Sequence, residues 1–233
     1  MVWIGSLKLS VQNNTELISF HDRILRVRPA QAKAPRLLLL LHGWTGDENS
    51  LWVFVRNFSE DYWIVAPRAP YFSEQPAGGY SWRPLRPENR AWPSLDDLRP
   101  SAEALIPLID AYSLENNIDA SLFDVMGFSQ GGALTNVITL LHPERIRRAC
   151  ILAGFLPTDS EPLLRDKPLK GKPFFVAHGR LDETVKIEYA RQSVKSLEMA
   201  GADVTFCEDD VGHKVSATCL RGLEDFFAPS ADR

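Results

Sequence analysis

The sequence is poor in cysteine. Cys150, Cys207 and Cys219 are the three thiols of a 233-residue chain, too few and too odd in number to frame a disulfide-stapled fold. They are expected to be buried or idle thiols. A chain of this length buries roughly 70 % or more of its unfolded surface and needs no staple to fold. Positive charge is scarce too: 26 Lys and Arg stand against 30 Asp and Glu, a net charge of −4. No basic excess exists to neutralise a phosphate backbone, so nucleic acid is not an expected partner. Long apolar runs are missing. None is longer than Leu37–Leu41, which falls far short of the ~20 residues that cross a bilayer, and no stable membrane insertion is expected. The opening segment Met1–Ser6 has no basic stretch leading into a long apolar one, so it does not read as a secretory signal. The cytoplasm is the expected location. There is no H-E-x-x-H motif, and the five histidines do not cluster; no metal and no other cofactor is expected. No repeat, low-complexity tract or linker divides the chain, which reads as one domain over residues 1–233. A homo-oligomer is compatible with this composition but not required by it.

What is present is alternation. Short apolar runs at Leu37–Leu41, Trp63–Ala66, Phe123–Met126, Ala149–Leu152 and Phe174–Ala177 have strand length and lack in/out alternation. That pattern suits a parallel sheet covered on both faces. Leu7–Val27 alternates more and can supply one or two antiparallel edge strands, and Asp203–Glu208 reads as a last strand. Between the strands lie helical stripes: Ala102, Leu105, Ile106 and Ile109, where Pro107 should kink or shorten the helix; Ala133 to Ile138, ending before Pro143; Ile187, Ala190, Val194 and Leu197, stopped by Gly201; and Val215, Cys219, Leu223 and Phe226. Strand–helix alternation predicts a three-layer α/β fold with a mostly parallel central sheet and helices on both faces.

Eight of the 16 prolines fall between Pro67 and Pro107, together with Gly78-Gly79, Trp82 and Trp92. Residues of about 68–98 therefore read as a long irregular excursion. Its aromatic content points to a packed wall or lid over a pocket rather than a plain surface loop.

Gly127-Phe-Ser-Gln-Gly131 follows an apolar strand and opens a helix. A serine at so sharp a turn is held in a strained backbone with its hydroxyl exposed, at the positive end of the next helix. Glycine two positions to either side avoids collision with the neighbouring strand and helix. Ser129 is thus a candidate nucleophile, and it needs a base and an orienting acid. In elbows of this type they follow in the order Ser, acid, His. His142 lies at the far end of the nucleophile helix, and His178 precedes any acid that could follow Ser129 in order. His213, in the loop after the last strand, is the candidate base. Asp182, at the carboxyl end of the strand through Phe174–Ala177, is the candidate acid; Glu183 beside it is the alternative, whereas Asp209 and Asp210 follow a different strand. The oxyanion needs two backbone N–H groups: Gln130, after the nucleophile, and Trp44, after the leucine strand, are placed to supply them. His42 reads as a structural hydrogen-bonding histidine, and Asp47 as the N-cap of a following helix. Trp44, Phe72, Tyr80 and Trp82 are candidate substrate contacts favouring apolar acyl groups.

These pieces, Leu41-His-Gly-Trp44, Gly127-Phe-Ser-Gln-Gly-Gly132, His178-Gly179 with Asp182, and Gly212-His213, resemble the phospholipase/carboxylesterase family of α/β-hydrolases, which includes the acyl-protein thioesterases. The resemblance runs from about Pro35 to Phe227. The acid motif departs from the family's usual valine-proline, because Lys186 follows Val185. The resemblance implies an α/β-hydrolase fold and a cofactor-independent serine esterase acting on small or medium acyl chains. An acyl thioesterase or lysophospholipase on the same three residues is the alternative. From another class, a catalytically silent receptor of the same fold would retain the scaffold without the chemistry.

Overall fold

The structure is a computed structural model, and it describes residues 14–73, 78–84 and 92–228. In chain order its strands are β1 (Glu16–Phe20), β2 (Arg23–Arg28), β3 (Arg36–Leu41), β4 (Tyr62–Pro67), β5 (Tyr71–Phe72), β6 (Tyr80–Ser81), β7 (Phe123–Phe128), β8 (Ile146–Leu152), β9 (Pro173–Gly179) and β10 (Asp203–Asp209). The helices are α1 (Leu95–Glu115), α2 (Gln130–Leu141), α3 (Ile187–Met199) and α4 (Ala217–Phe227). Among the described residues, eight strands form one sheet in the order β1-β2-β4-β3-β7-β8-β9-β10. From β4 to β10 every neighbouring pair is parallel. β1 and β2 are the antiparallel edge; the part of the Leu7–Val27 reading before residue 14 lies outside the described residues.

The apolar runs become strands buried on both faces. Leu37, Leu39 and Leu41 of β3 join one core with Val125, Ile151 and Val176, under Leu105 of α1, Leu134 and Val137 of α2 and Leu197 of α3. Leu38 and Leu40 point the other way, into a second core with Met126, Leu152 and Phe175, closed by Cys219, Leu223 and Phe227 of α4. Each such leucine, removed from water, contributes about 1.5–3 kcal/mol. Two cores on opposite faces make the three layers, and the parallel pairing brings the carboxyl ends of β3, β4, β7, β8 and β9 to one edge. The carboxyl end of β10, parallel to β9, joins them, and the segments that follow these ends carry every candidate site residue.

Three expectations change. The stripe around Ala102–Ile109 is not shortened by Pro107: α1 runs unbroken for 21 residues with Pro100 and Pro107 inside it. Both prolines are exposed and seven residues apart, so they lie on the solvent stripe. The carbonyls that lose a donor, those of Asp96 and Glu103, belong to exposed residues, where water replaces the missing bond. A capping box at Ser94 and Asp97 fixes the start. The helix expected after Asp47 is absent. Asp47 Oδ1 instead accepts the Asn49 N–H at 2.8 Å, a local turn that competes with helix, and only a short 3₁₀ turn follows at Trp52–Phe54.

The third change concerns the thiols. Cys207 on β10 and Cys219 on α4 are disulfide-bonded, their Cα atoms 5.7 Å apart, while Cys150 is a free buried thiol. A count of three says nothing about which elements lie face to face, and β10 and α4 do. The bond closes the segment that carries His213. With its ends 12 positions apart in sequence, it contributes about 3 kcal/mol by constraining the unfolded chain. Denaturant unfolding of Cys207→Ser should show that loss, and dithiothreitol should lower the wild type to the same midpoint. Identical wild-type midpoints with and without reductant would mean that the bond does not form.

Candidate active site

Ser129 joins β7 to α2 with φ 54° and ψ −115°. Its N–H donates to Leu152 O at 2.8 Å, and its carbonyl accepts the Ala133 N–H at 3.0 Å. The flanking glycines are required by close approach. A Cβ on Gly127 would run into the Gly131 carbonyl, and one on Gly131 into the Leu41 carbonyl of β3. Any side chain there would push the helix off the sheet and unmake the turn.

Asp182 is buried in the turn that follows β9. Its Oδ1 accepts two backbone N–H groups, from Thr184 and Val185, both at 2.9 Å. Its Oδ2 lies 2.7 Å from His213 Nδ1. A carboxylate only accepts, so Nδ1 carries the proton, and His213 Nε2 is left to accept from the Ser129 hydroxyl at 3.0 Å. The structure thus brings Ser129, His213 and Asp182 into one hydrogen-bonded line. Glu183 is exposed. Asp210 binds Arg180 Nε at 2.6 Å, and Asp209 binds the N–H of Asp210. His142 sits at the far end of α2.

The loops bearing acid and base are zipped together. Arg180 N–H donates to Asp209 O at 2.8 Å and Leu181 N–H to Val211 O at 3.0 Å. Gly179 permits this, because a Cβ there would strike the Val211 and Gly212 carbonyls. The His213 ring meets Phe128 edge-on at 5.0 Å, and Phe128 stacks on Phe54 at 6.1 Å.

The loop after β3 carries the second candidate N–H. His42 is buried, and its Nε2 accepts the Ala69 N–H at 3.1 Å, so Nδ1–H donates to Gly43 O at 2.7 Å. Burial pulls its pKa below the usual histidine value, and both ring nitrogens serve structure. The next N–H groups are engaged: Thr45 donates to Tyr80 O and Gly46 to Gly43 O. Those of Trp44 and Gln130 figure in none of the loop and turn hydrogen bonds among the described residues.

Of the four expected substrate contacts, three are exposed or half-buried. Trp44 is 48 % exposed and Phe72 63 %. Trp44 Nε1 donates to Ser73 Oγ at 3.0 Å, and Phe72 meets the half-buried Tyr80 edge-on at 5.8 Å. Trp82 is different. It is 2 % exposed, and its Nε1–H donates to His42 O at 2.8 Å, so the whole indole can leave water without an unpaired donor. Its place is in the core behind the oxyanion loop. Its backbone N–H donates at 2.9 Å to the side-chain oxygen of Gln130, whose Nε2 donates to Ser81 Oγ at 3.1 Å. Gln130 therefore ties the excursion to the nucleophile helix, a role the sequence reading did not find. The Phe54–Phe128 pair was also missed; Trp92, the second tryptophan of the excursion, packs on Phe155 at 4.2 Å and on Tyr189 at 4.6 Å. Position beside the nucleophile was the available signal for Phe128. Residues 74–77 and 85–91 of the excursion lie outside the described residues.

Among the described residues, no group of three His, Cys, Asp or Glu could hold a metal ion, and no helix is long and apolar enough to cross a membrane.

A profile of the Phospholipase/Carboxylesterase family matches residues 22–230. The chain belongs to that family. It is a hydrolase acting on esters. A probable carboxylesterase of Oryza sativa subsp. japonica is 29 % identical over 211 residues, covering 85 % of this chain and 79 % of that one. Acyl-protein thioesterase 1 of Debaryomyces hansenii is 26 % identical over 194 residues, covering 76 % and 82 %. A solved carboxylesterase from Mesorhizobium loti superposes with a TM-score of 0.76 at 20 % identity, covering 93 % of this chain and 99 % of that one. That likeness shows the α/β-hydrolase fold.

The burial of Trp82 has a direct consequence. Trp82→Ala should cost roughly 3–5 kcal/mol of stability and should scale kcat/KM for butyrate and decanoate esters alike. A variant of unchanged stability with an altered ratio of the two esters would return Trp82 to the pocket wall.

Proposed function

We propose that the protein cleaves carboxylic esters of small or medium acyl chains through an acyl-enzyme on Ser129. The observation that carries the reading is the line Asp182–His213–Ser129, with links of 2.7 and 3.0 Å, ending at a serine in strained backbone geometry. As the Ser129 Oγ attacks the ester carbonyl, its proton passes to His213 Nε2. Asp182 holds the imidazole in the required tautomer and offsets the imidazolium charge. The Trp44 and Gln130 N–H groups receive the oxyanion. His213 then gives its proton to the departing alkoxide. Water enters, His213 takes a proton from it as it attacks the acyl-enzyme, and His213 then gives that proton to the departing Ser129 Oγ, freeing the acid and restoring the enzyme. Every group in the cycle is the chain's own or water.

A second reading, the acyl thioester, is favoured by the similarity to an acyl-protein thioesterase. The same residues serve it, with a thiolate as leaving group. A panel of p-nitrophenyl esters from acetate to palmitate beside acyl-CoA thioesters separates the two. We also propose a small-molecule ester as the substrate; the cytoplasm is proposed as the location against the Cys207–Cys219 disulfide, which favours an oxidising compartment. A reducing compartment leaves Cys207 and Cys219 open to alkylation in intact cells, whereas an oxidising one keeps them joined.

Ser129→Ala should fold as the wild type and lose ester hydrolysis by about 10³-fold or more. A variant keeping a tenth of the activity would defeat the nucleophile, and a wild type inert to every ester and thioester would favour a silent receptor.

A further inference from the structure

We propose that His178 is a positioning residue: it fixes the turn 182–185 so that the Asp182 carboxylate offers one oxygen, Oδ2, to His213. The inference rests on the triad reading above. His178 lies near the end of β9, in register with Glu208 of β10, and its side chain is wholly buried beside that of Asp182. Its Nε2 stands 2.7 Å from Val185 O. The carbonyl only accepts, so Nε2 carries the proton. The same nitrogen lies 3.4 Å from Asp182 Oδ2.

Val185 is thereby held at both ends. Its N–H grips Asp182 Oδ1, and its carbonyl is gripped by His178. The Thr184 N–H takes the same oxygen. With Oδ1 occupied twice, the carboxylate cannot rotate, and Oδ2 stays aimed at His213 Nδ1. Without the His178 donor, the Val185 carbonyl is free to turn, and the N–H of the same residue loses its aim.

Two features speak against a purely structural imidazole. Among the described residues His178 Nδ1 is buried with no partner, so the ring brings an unsatisfied nitrogen into the core, which a leucine of similar size would not. Charge matters as well. The ionisable groups acting on His178 are Asp182, His213 and Glu208, and burial pulls its pKa below the ordinary histidine value. A neutral His178 leaves the Asp182 charge to His213; a cation at 3.4 Å would compete for it.

The test compares His178→Leu, His178→Gln, Asp182→Ala and the double variant His178→Leu/Asp182→Ala on p-nitrophenyl butyrate, each checked for folding by its melting transition. His178→Leu should lower kcat by about 10- to 100-fold with KM within about twofold of wild type. Gln, whose amide N–H can reach the Nε2 position, should restore kcat to within about threefold, and on the Asp182→Ala background the Leu change should alter kcat by less than about twofold. Wild-type kcat in His178→Leu, with Asp182→Ala impaired, overturns this proposal alone. So does an equal loss on the Asp182→Ala background, or a Gln variant as impaired as the Leu one. Wild-type kcat in Asp182→Ala overturns the triad reading beneath it. If His178→Leu does not fold, His178→Asn, whose shorter amide falls short of Val185 O, is read in its place.

Discussion

Ser129 sits in a conformation that costs a residue with a side chain about 1–3 kcal/mol, and the rest of the structure is arranged so that it cannot relax. Its N–H is bound to β8 through Leu152 O, and its carbonyl is bound to the first turn of α2. Gly131 presses on the Leu41 carbonyl and Gly127 on Gly131. Relieving the strain would mean lifting α2 off β3 and β7, with Leu134, Val137 and Ile138 leaving the core. The burial of those side chains far exceeds the strain, so the hydroxyl stays pointed out of the turn.

Around that fixed point the other groups are held by backbone rather than by long flexible side chains. Two N–H groups aim the acid, backbone bonds zip the acid loop to the base loop, and the Tyr80 carbonyl holds the Thr45 N–H beside Trp44. The Gln130 side chain then locks the excursion to α2 through Trp82 and Ser81. Groups held this way need little reorganisation as charge develops, which is where electrostatic catalysis gains most. The disulfide from Cys207 to Cys219 adds a covalent limit on the His213 segment.

Much of this was legible because it is local or ordinal. The spacing of Gly127, Ser129 and Gly131 states the turn, continuous apolar runs state a sheet buried on both sides, and chain order separates Asp182 and His213 from their neighbours. What was not legible is what depends on facing. Proline and tryptophan content marked an irregular excursion, yet it could not say that Trp82 turns inward to the His42 carbonyl while Phe72 turns out. Pro100 and Pro107 break a helix only if their carbonyl partners are dry, and spacing alone does not reveal that both lie on the wet stripe. The pairing of Cys207 with Cys219 exists because α4 packs against β10, a tertiary fact. Order set His178 aside as a base, but its bond to Val185 arises only once the turn closes.

The central claim is that one serine, made nucleophilic by its place in this scaffold, carries the chemistry. Peptide mass spectrometry after reaction with a fluorophosphonate tests it most directly. The account predicts one phosphonyl adduct, on Ser129, forming in step with the loss of esterase activity and failing to form in His213→Ala. An adduct on another serine, or full inactivation with Ser129 unmodified, would contradict it.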